Sequence, residues 1–252
     1  MELNCANFPN KEGILQIVDL LKKAIYPCVF GETNDIDDDK KELRFLYLKY
    51  ISKDQKKAEE FIDEALKLRN VYDEDAEAIF EGDPAADSIE EIITVYPGFT
   101  AIFYHRIAHI LYKQNYQIPA RIINEEAHFM TGIDIHPGAT IGEHFMIDHG
   151  TGIVIGETTV IGNYCRIYQG VTLGALSLSG GHSLHGVKRH PTIGNHVTIY
   201  SGASILGGEV IIGNHVIIGS NVFLTKSIPD YTRVTIQEPN LVIIKREKKS
   251  KI

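Results

Sequence analysis

Two rules of hydrophobic spacing divide this chain near residue 130. In the first part apolar positions recur at helical intervals: KEGILQIVDLLKKA (11–24) is amphipathic and follows Pro9, and three aspartates at 37–39 open another helix. Phe45, Leu46, Tyr50, Phe61 and Leu66 carry that rhythm on through a charged helix over 40–69. Further helices are predicted over 71–81, 88–94, 98–114 and 118–130. From residue 135 the period becomes six. Branched aliphatics stand at 135, 141, 147 and 153, after a two-residue slip at 155, 161, 167 and 173, then at 193, 199 and 205, and last at 212, 218 and 224. Gly142, Gly156, Gly162, Gly194, Gly213 and Gly219 follow directly after six of them, where a corner needs a residue tolerant of positive φ. Such hexads predict short strands joined by tight turns and stacked as a solenoid, with the helical half covering one open end.

The expected fold class is α+β: an all-helical domain over 1–130, a parallel solenoid over 131–226 interrupted by a protruding loop at 174–191, and a tail over 227–252. Composition agrees with a soluble globular chain, at 252 residues, 44% hydrophobic and 23% charged. A formal charge of −8 offers nothing to a nucleic-acid backbone. The surplus is local, with 25 acidic and 15 basic groups up to residue 130 against 8 and 10 beyond it, and most of the acidic groups read as solvated helix faces. No uncharged apolar stretch reaches 18 residues and the N-terminus has no basic region followed by an apolar run, so a cytoplasmic chain with no membrane span is expected. Cys5, Cys28 and Cys165 match neither a metal knuckle nor a redox pair.

Departures from the repeat are where chemistry is sought. In GALSLSGGHSLHGVKRHP (174–191) the aliphatic period disappears, and His185, Lys188, Arg189 and His190 offer donors suited to a carboxylate. At IDHGTG (147–152) an aspartate and a histidine occupy a corner that needs only small residues. Asp134 precedes His149 by fifteen residues, close to one coil, which puts both near one corner of adjacent coils; a carboxylate beside an imidazole is the arrangement a general base uses. A lone histidine is more often structural, and spacing alone does not make the side chains meet.

The strings GDPAAD (82–87), PGFTAIFYHRIAHILY (97–112), DIHPGATIG (134–142), DHGTGIVIGET (148–158), QGVTLG (169–174) and RHPTIG (189–194) resemble serine O-acetyltransferase, a family of hexapeptide-repeat acyltransferases. The resemblance covers roughly 75–226. It implies a left-handed parallel β-helix and an enzyme that moves an acetyl group from acetyl-CoA to the L-serine hydroxyl for cysteine biosynthesis. In that reading His149 is the general base and Asp134 orients it. Asp83 and Asp148 hold the substrate ammonium, and Arg189 and His190 its carboxylate. Gly174, Ala175, Ser201, Gly219 and Ser220 line the acetyl-CoA groove. It further implies a homotrimer or dimer of trimers with the groove between subunits, feedback inhibition by L-cysteine, and no metal. A C-terminal isoleucine, here Ile252, can dock on O-acetylserine sulfhydrylase. Two departures stand out: the loop before RHP is long, and VTIQEPNLVIIK replaces the usual small-residue segment after 226.

Two rivals remain at this stage. A related acetyltransferase for a sugar or xenobiotic hydroxyl would share the base and the coil. A β-helical zinc carbonic anhydrase would use the H-x4-H spacing of His144 and His149, repeated at His185 and His190.

Overall fold

The computed structural model describes residues 9–31, 36–177, 179–184, 186–237 and 244; Cys5, His185, Ile252 and the rest of the basic tail lie outside them. Eight helices come first among the described residues: α1 (Lys11–Ile25), α2 (Pro27–Phe30), α3 (Ile36–Tyr50), α4 (Gln55–Lys67), α5 (Arg69–Gly82), α6 (Ile89–Val95), α7 (Pro97–Lys113) and α8 (Gln117–Thr131). Short polar side chains start several of them. Asn10 Oδ1 accepts from the Gly13 N–H at 2.7 Å, Asp54 from Lys57 at 3.1 Å and Ser88 from Glu91 at 3.1 Å. The continuous helix expected over 40–69 is therefore two helices. Ser52 accepts from the Asp54 N–H and Asp54 caps α4, so local side-chain bonds take over where the apolar rhythm alone would run on. Their apolar stripes close over one core, in which Tyr72 and Phe103 stack at 4.4 Å.

After Gly132, which ends α8 with φ 71°, the chain winds into a three-sided parallel solenoid. One sheet holds β1 (Asp134–Ile135), β4 (Val154–Ile155), β7 (Thr172–Gly174), β10 (Ser204–Leu206) and β13 (Phe223–Leu224). A second holds β2 (Thr140–Ile141), β5 (Val160–Ile161), β8 (Thr192–Ile193) and β11 (Ile211–Ile212). The third holds β3 (Met146–Asp148), β6 (Arg166–Tyr168), β9 (Thr198–Ile199), β12 (Ile217–Ile218) and β14 (Arg233–Val234). The periodic aliphatics from Ile135 to Ile218 all point inward and are buried, with Leu224 partly so. The slip in their period is a longer corner: Asp134 pairs with Val154 across a 20-residue coil, whereas Val154 pairs with Thr172 across 18, and the excess sits at His149–Gly152. Past residue 226 the coil carries on, as Ile228 bridges Ile212 and β14 pairs with β12.

The corner between the second and third sheets is a structural ladder. Glu143, Asn163, Asn195 and Asn214 donate their N–H groups to the side chains of Asn163, Asn195, Asn214 and Asp230 in the next coil at 2.8 to 3.0 Å. Beside that ladder His144, Tyr164, His196, His215 and Tyr231 stack ring on ring, each 4.7 Å from the next. That spacing is the interstrand repeat. Four rings of the five thus need no catalytic explanation, and His144 adds only a contact with Glu81 at 3.3 Å.

Candidate active site

Two glycines bring the helical half onto the solenoid. A Cβ on Gly82, the last residue of α5, would meet the Met146 sulfur at 2.2 Å, and one on Gly98, in the first turn of α7, would meet the Ile147 carbonyl oxygen at 2.2 Å. Both helices therefore press directly on β3, and the residues next to the two glycines flank the end of that strand. Asp83 follows Gly82. Its Oδ1 accepts from the Ala85 N–H at 2.9 Å and its Oδ2 from the Tyr96 hydroxyl at 2.9 Å. Asp148 ends β3, in register with Tyr168 of β6. Burial, then the Asp83 hydrogen bond and the charges of Asp83, Glu91 and Asp148, push the Tyr96 phenol up to about 12. Tyr168 is raised in turn by burial, Tyr200, Asp148 and Asp83. Both carboxylates thus act on the same two phenols, a concentration of negative charge suited to an ammonium group.

His149 follows Asp148 and opens the corner between the third and first sheets. Its imidazole is 72% exposed, with Nδ1 3.7 Å from Asp148 Oδ1. Asp134 does not join it by a hydrogen bond or ion pair among the described residues. The 20-residue coil aligns Asp134 with Val154, five residues beyond His149, and its carboxylate converges with Glu125 and His128, their ligand atoms within 4.8 Å of one another. His144 lies at a different corner from His149, so these two histidines of the H-x4-H pair do not converge within one chain.

The corner between the first and second sheets carries the cationic residues. Arg189, at the end of the loop, donates from Nη2 to Glu157 Oε2 at 2.5 Å and from Nη1 to the Leu184 carbonyl at 3.1 Å. Glu157 also accepts from the Tyr112 hydroxyl at 2.8 Å. Burial raises its carboxyl, but Tyr112 and Arg189 outweigh that and leave it below the usual value. Thr158 fastens the loop end: its hydroxyl accepts from the Arg189 and His190 N–H groups at 2.9 and 3.1 Å. The Thr158 N–H donates to His190 Nδ1 at 3.0 Å, which leaves the proton of a neutral ring on Nε2, a hydrogen-bond donor. Burial and then the Arg189 charge push His190 down to about 4.

A pH prediction follows from that depression. The unfolded imidazole takes a proton near 6.5 and the folded one only near 4, so His190's contribution is full above 6.5 and is lost as pH falls through about 4. In His190→Gln this acid sensitivity disappears. The melting temperature of wild type should therefore fall relative to that of the variant as pH drops from about 6.5 to about 4; a difference that stays flat or moves the other way would refute the assignment.

The five residues expected along acetyl-CoA fall on two edges. Ser201, Gly219 and Ser220 lie below His149 at the same corner, with the Ser201 and Ser220 hydroxyls 3.3 Å apart. Gly152, Gly170 and Gly202 stack there in successive coils; a Cβ on Gly152 would sit 3.7 Å from the Gly170 Cα, and one on Gly170 3.5 Å from the Gly202 Cα. That column presents no side chains along the coil axis. Gly174 and Ala175 stand at the far end of the first sheet, where the loop departs. Sequence reasoning missed Tyr96, Glu157, Thr158 and Tyr168. Of these, Glu157 and Thr158 sit in the quoted GET string and were open to suspicion as polar residues at a corner. Cys165 is buried, its thiol pushed up to about 11 by burial, and takes no part in the site.

A helical cap, a parallel coil of hexads and a histidine at a coil corner define a hexapeptide-repeat acyltransferase. No family model matches the chain. The plasmid-encoded serine acetyltransferase of Synechococcus elongatus is 55% identical over 130 residues, 50% of this chain and 41% of its own length. The chain spans about half the length, or less, of the curated relatives it matches. Among solved structures, serine acetyltransferase isoform 3 of Entamoeba histolytica in complex with cysteine is 39% identical, with 91% of this chain and 84% of that one covered at a TM-score of 0.79. A serine acetyltransferase in complex with CoA is 30% identical over 86% of this chain and 79% of its own, at a TM-score of 0.63. The chain belongs to the serine acetyltransferase family, and its solenoid is the left-handed β-helix. No helix among the described residues is long and apolar enough to cross a membrane.

Proposed function

We propose that the chain transfers an acetyl group from acetyl-CoA to the hydroxyl of L-serine, giving O-acetylserine for cysteine biosynthesis. The observation that carries this reading is the pair of carboxylates, Asp83 and Asp148, gathered around Tyr96 and Tyr168 one residue from His149. An acceptor whose hydroxyl is two bonds from an ammonium-bearing carbon suits such a pair of carboxylates; a neutral sugar hydroxyl has no use for it. His149 takes the proton of the serine hydroxyl as that oxygen attacks the thioester carbonyl. The tetrahedral adduct then collapses, the C–S bond breaks, and the imidazolium returns the proton to the departing CoA sulfur. No acyl-enzyme is required. Asp148 touches the imidazole, while Asp134 would orient it from the start of the adjoining strand.

Arg189 and His190 would take the substrate carboxylate, but they stand at a different corner of the prism from His149. A site using both edges closes when the loop corner of one chain meets the His149 corner of another, which supports a trimer with three shared sites and acetyl-CoA in the groove between chains. The Ser201, Gly219 and Ser220 column would carry the pantetheine arm on one wall, Gly174 and Ala175 on the other. Glu157 and the Leu184 carbonyl hold the Arg189 guanidinium in place, and its remaining N–H groups would meet the carboxylate. The complexes with cysteine and with CoA support L-cysteine as a competing ligand and CoA as the leaving product. Pairing of trimers through the helical caps and docking on O-acetylserine sulfhydrylase through Ile252 complete the reading. The division near 130 then separates cap from catalytic coil, and the coil runs past 226 to Val234 before the tail that would bind the partner.

Thiol release from acetyl-CoA with a panel of hydroxylated acceptors tests the assignment. L-serine should be the preferred acceptor, and Asp83→Ala should raise its KM at least about tenfold. N-acetylserine, which lacks the ammonium, should be a poor acceptor; equal turnover of the two would overturn the clamp.

A further inference from the structure

We propose that Tyr96 is the positioning residue that gives the site its preference for an amino group, by fixing the Asp83 carboxylate through its phenol. The inference rests on the serine reading above and deepens it.

Asp83 sits beyond the last turn of α5, in the connection to α6, a place where a carboxylate would ordinarily swing in solvent. Two bonds stop it. The Ala85 N–H holds Oδ1 and the Tyr96 hydroxyl holds Oδ2, both at 2.9 Å, so each oxygen keeps one direction for a further donor. Tyr96 is itself immobilised. It forms the joint between α6 and α7, its N–H donates to the Ile92 carbonyl at 3.2 Å, and Pro97 fixes the next φ. Two residues later Gly98 abuts the Ile147 carbonyl. The path from Asp83 through Tyr96 and Gly98 to β3 is therefore a short rigid bracket whose far end is Asp148.

Toward Asp83 the phenol is the donor. Burial and the two carboxylates keep it protonated throughout the working range of the enzyme. A hydroxyl that donates to one carboxylate oxygen orients the other lone pairs and disperses some of the charge, so that Asp83 and Asp148 face a shared guest rather than repel each other apart. A phenylalanine fills the same space without that bond. The prediction is thus a change in amine recognition at constant packing.

The test is steady-state kinetics on full-length wild type, Tyr96→Phe, Asp83→Asn and the double variant, with L-serine and with glycerate, which carries a hydroxyl in place of the amine. Tyr96→Phe should raise KM for L-serine about tenfold while kcat and KM for acetyl-CoA stay within about twofold. KM for glycerate should not move, so the preference for the amine shrinks by the same factor. In the Asp83→Asn background the second change should add less than about twofold, because the phenol acts through that carboxylate. Unchanged KM for L-serine in Tyr96→Phe would overturn the proposal, as would a loss equal for both acceptors or one undiminished by Asp83→Asn. A wild-type enzyme that acetylates glycerate as well as L-serine would defeat the serine reading itself, whereas normal wild-type preference with an indifferent Tyr96→Phe defeats the proposal alone. Thermal melts of the four proteins accompany the kinetics: a Tyr96→Phe melting temperature within a few degrees of wild type keeps the KM shift from being a folding effect, and a large drop overturns the proposal in favour of a structural role.

Discussion

Replacing His149 by alanine is expected to lower kcat with L-serine and acetyl-CoA by at least about 10², the lower end of what a positioned general base supplies. A serine hydroxyl is too weak an acid to shed its proton unaided near neutral pH, and no other imidazole stands at the corner between the third and first sheets among the described residues. Stability should hardly change. The ring is 72% exposed and, among the described residues, its one ion-pair partner is Asp148 at 3.7 Å, so truncation opens no cavity. The backbone at His149 has φ 55°, but His144, Tyr164, His196 and His215 share that conformation, so it marks a corner of the coil and not a catalytic strain. KM for both substrates should stay within about threefold, because the substrate clamps lie elsewhere. Turnover within about threefold of wild type would show that His149 is not the general base.

What the sequence reveals of this molecule is set by whether a feature repeats. The inward aliphatics from Ile135 to Ile218 repeat every six residues, so the short strands and their stacking could be read from spacing. Pairing Asp134 with His149 assumes uniform coils, whereas the first coil holds two residues more than the next, so spacing alone does not fix how those two side chains sit. The break between Tyr50 and Gln55 is set by two capping side chains, Ser52 and Asp54, that leave the apolar rhythm intact. Tyr96 and Tyr168 carry no signal of their own. They matter because Gly82 and Gly98 let two helices sit on β3, a contact between segments some fifty residues apart that no local pattern announces. The long loop was legible as a break, whereas its anchorage by Glu157 and Thr158 depends on which coil lies beneath its end.

The largest effect on stability should come from Asp75→Ala. Asp75 of α5 is fully buried and faces Arg106 of α7, whose side chain is 8% exposed. The guanidinium donates to both carboxylate oxygens, at 2.7 and 2.9 Å, and to the Ile141 and Gly142 carbonyls at 3.2 and 2.7 Å. Asp75 Oδ1 also accepts from the Phe145 N–H at 2.9 Å. Burial pushes the carboxyl up, and Arg106 and the Phe145 N–H pull it back. This one pair therefore ties two helices of the cap to the corner between the second and third sheets. Removing the carboxylate strands a buried cation and a buried N–H together, a loss of about 3 to 5 kcal/mol. For a chain of this size that is a drop in melting temperature of about 10 °C or more. Asp75→Leu paired with Arg106→Met should recover much of it, since the cost lies in the unpaired charge and not in the missing ion pair. The bracket that carries Asp83 begins at the far end of the same helix, so Asp75→Ala should also raise KM for L-serine at temperatures where the protein remains folded. A single variant that melts within about 2 °C of wild type would mean that water reaches Arg106 and that packing alone joins the cap to the coil.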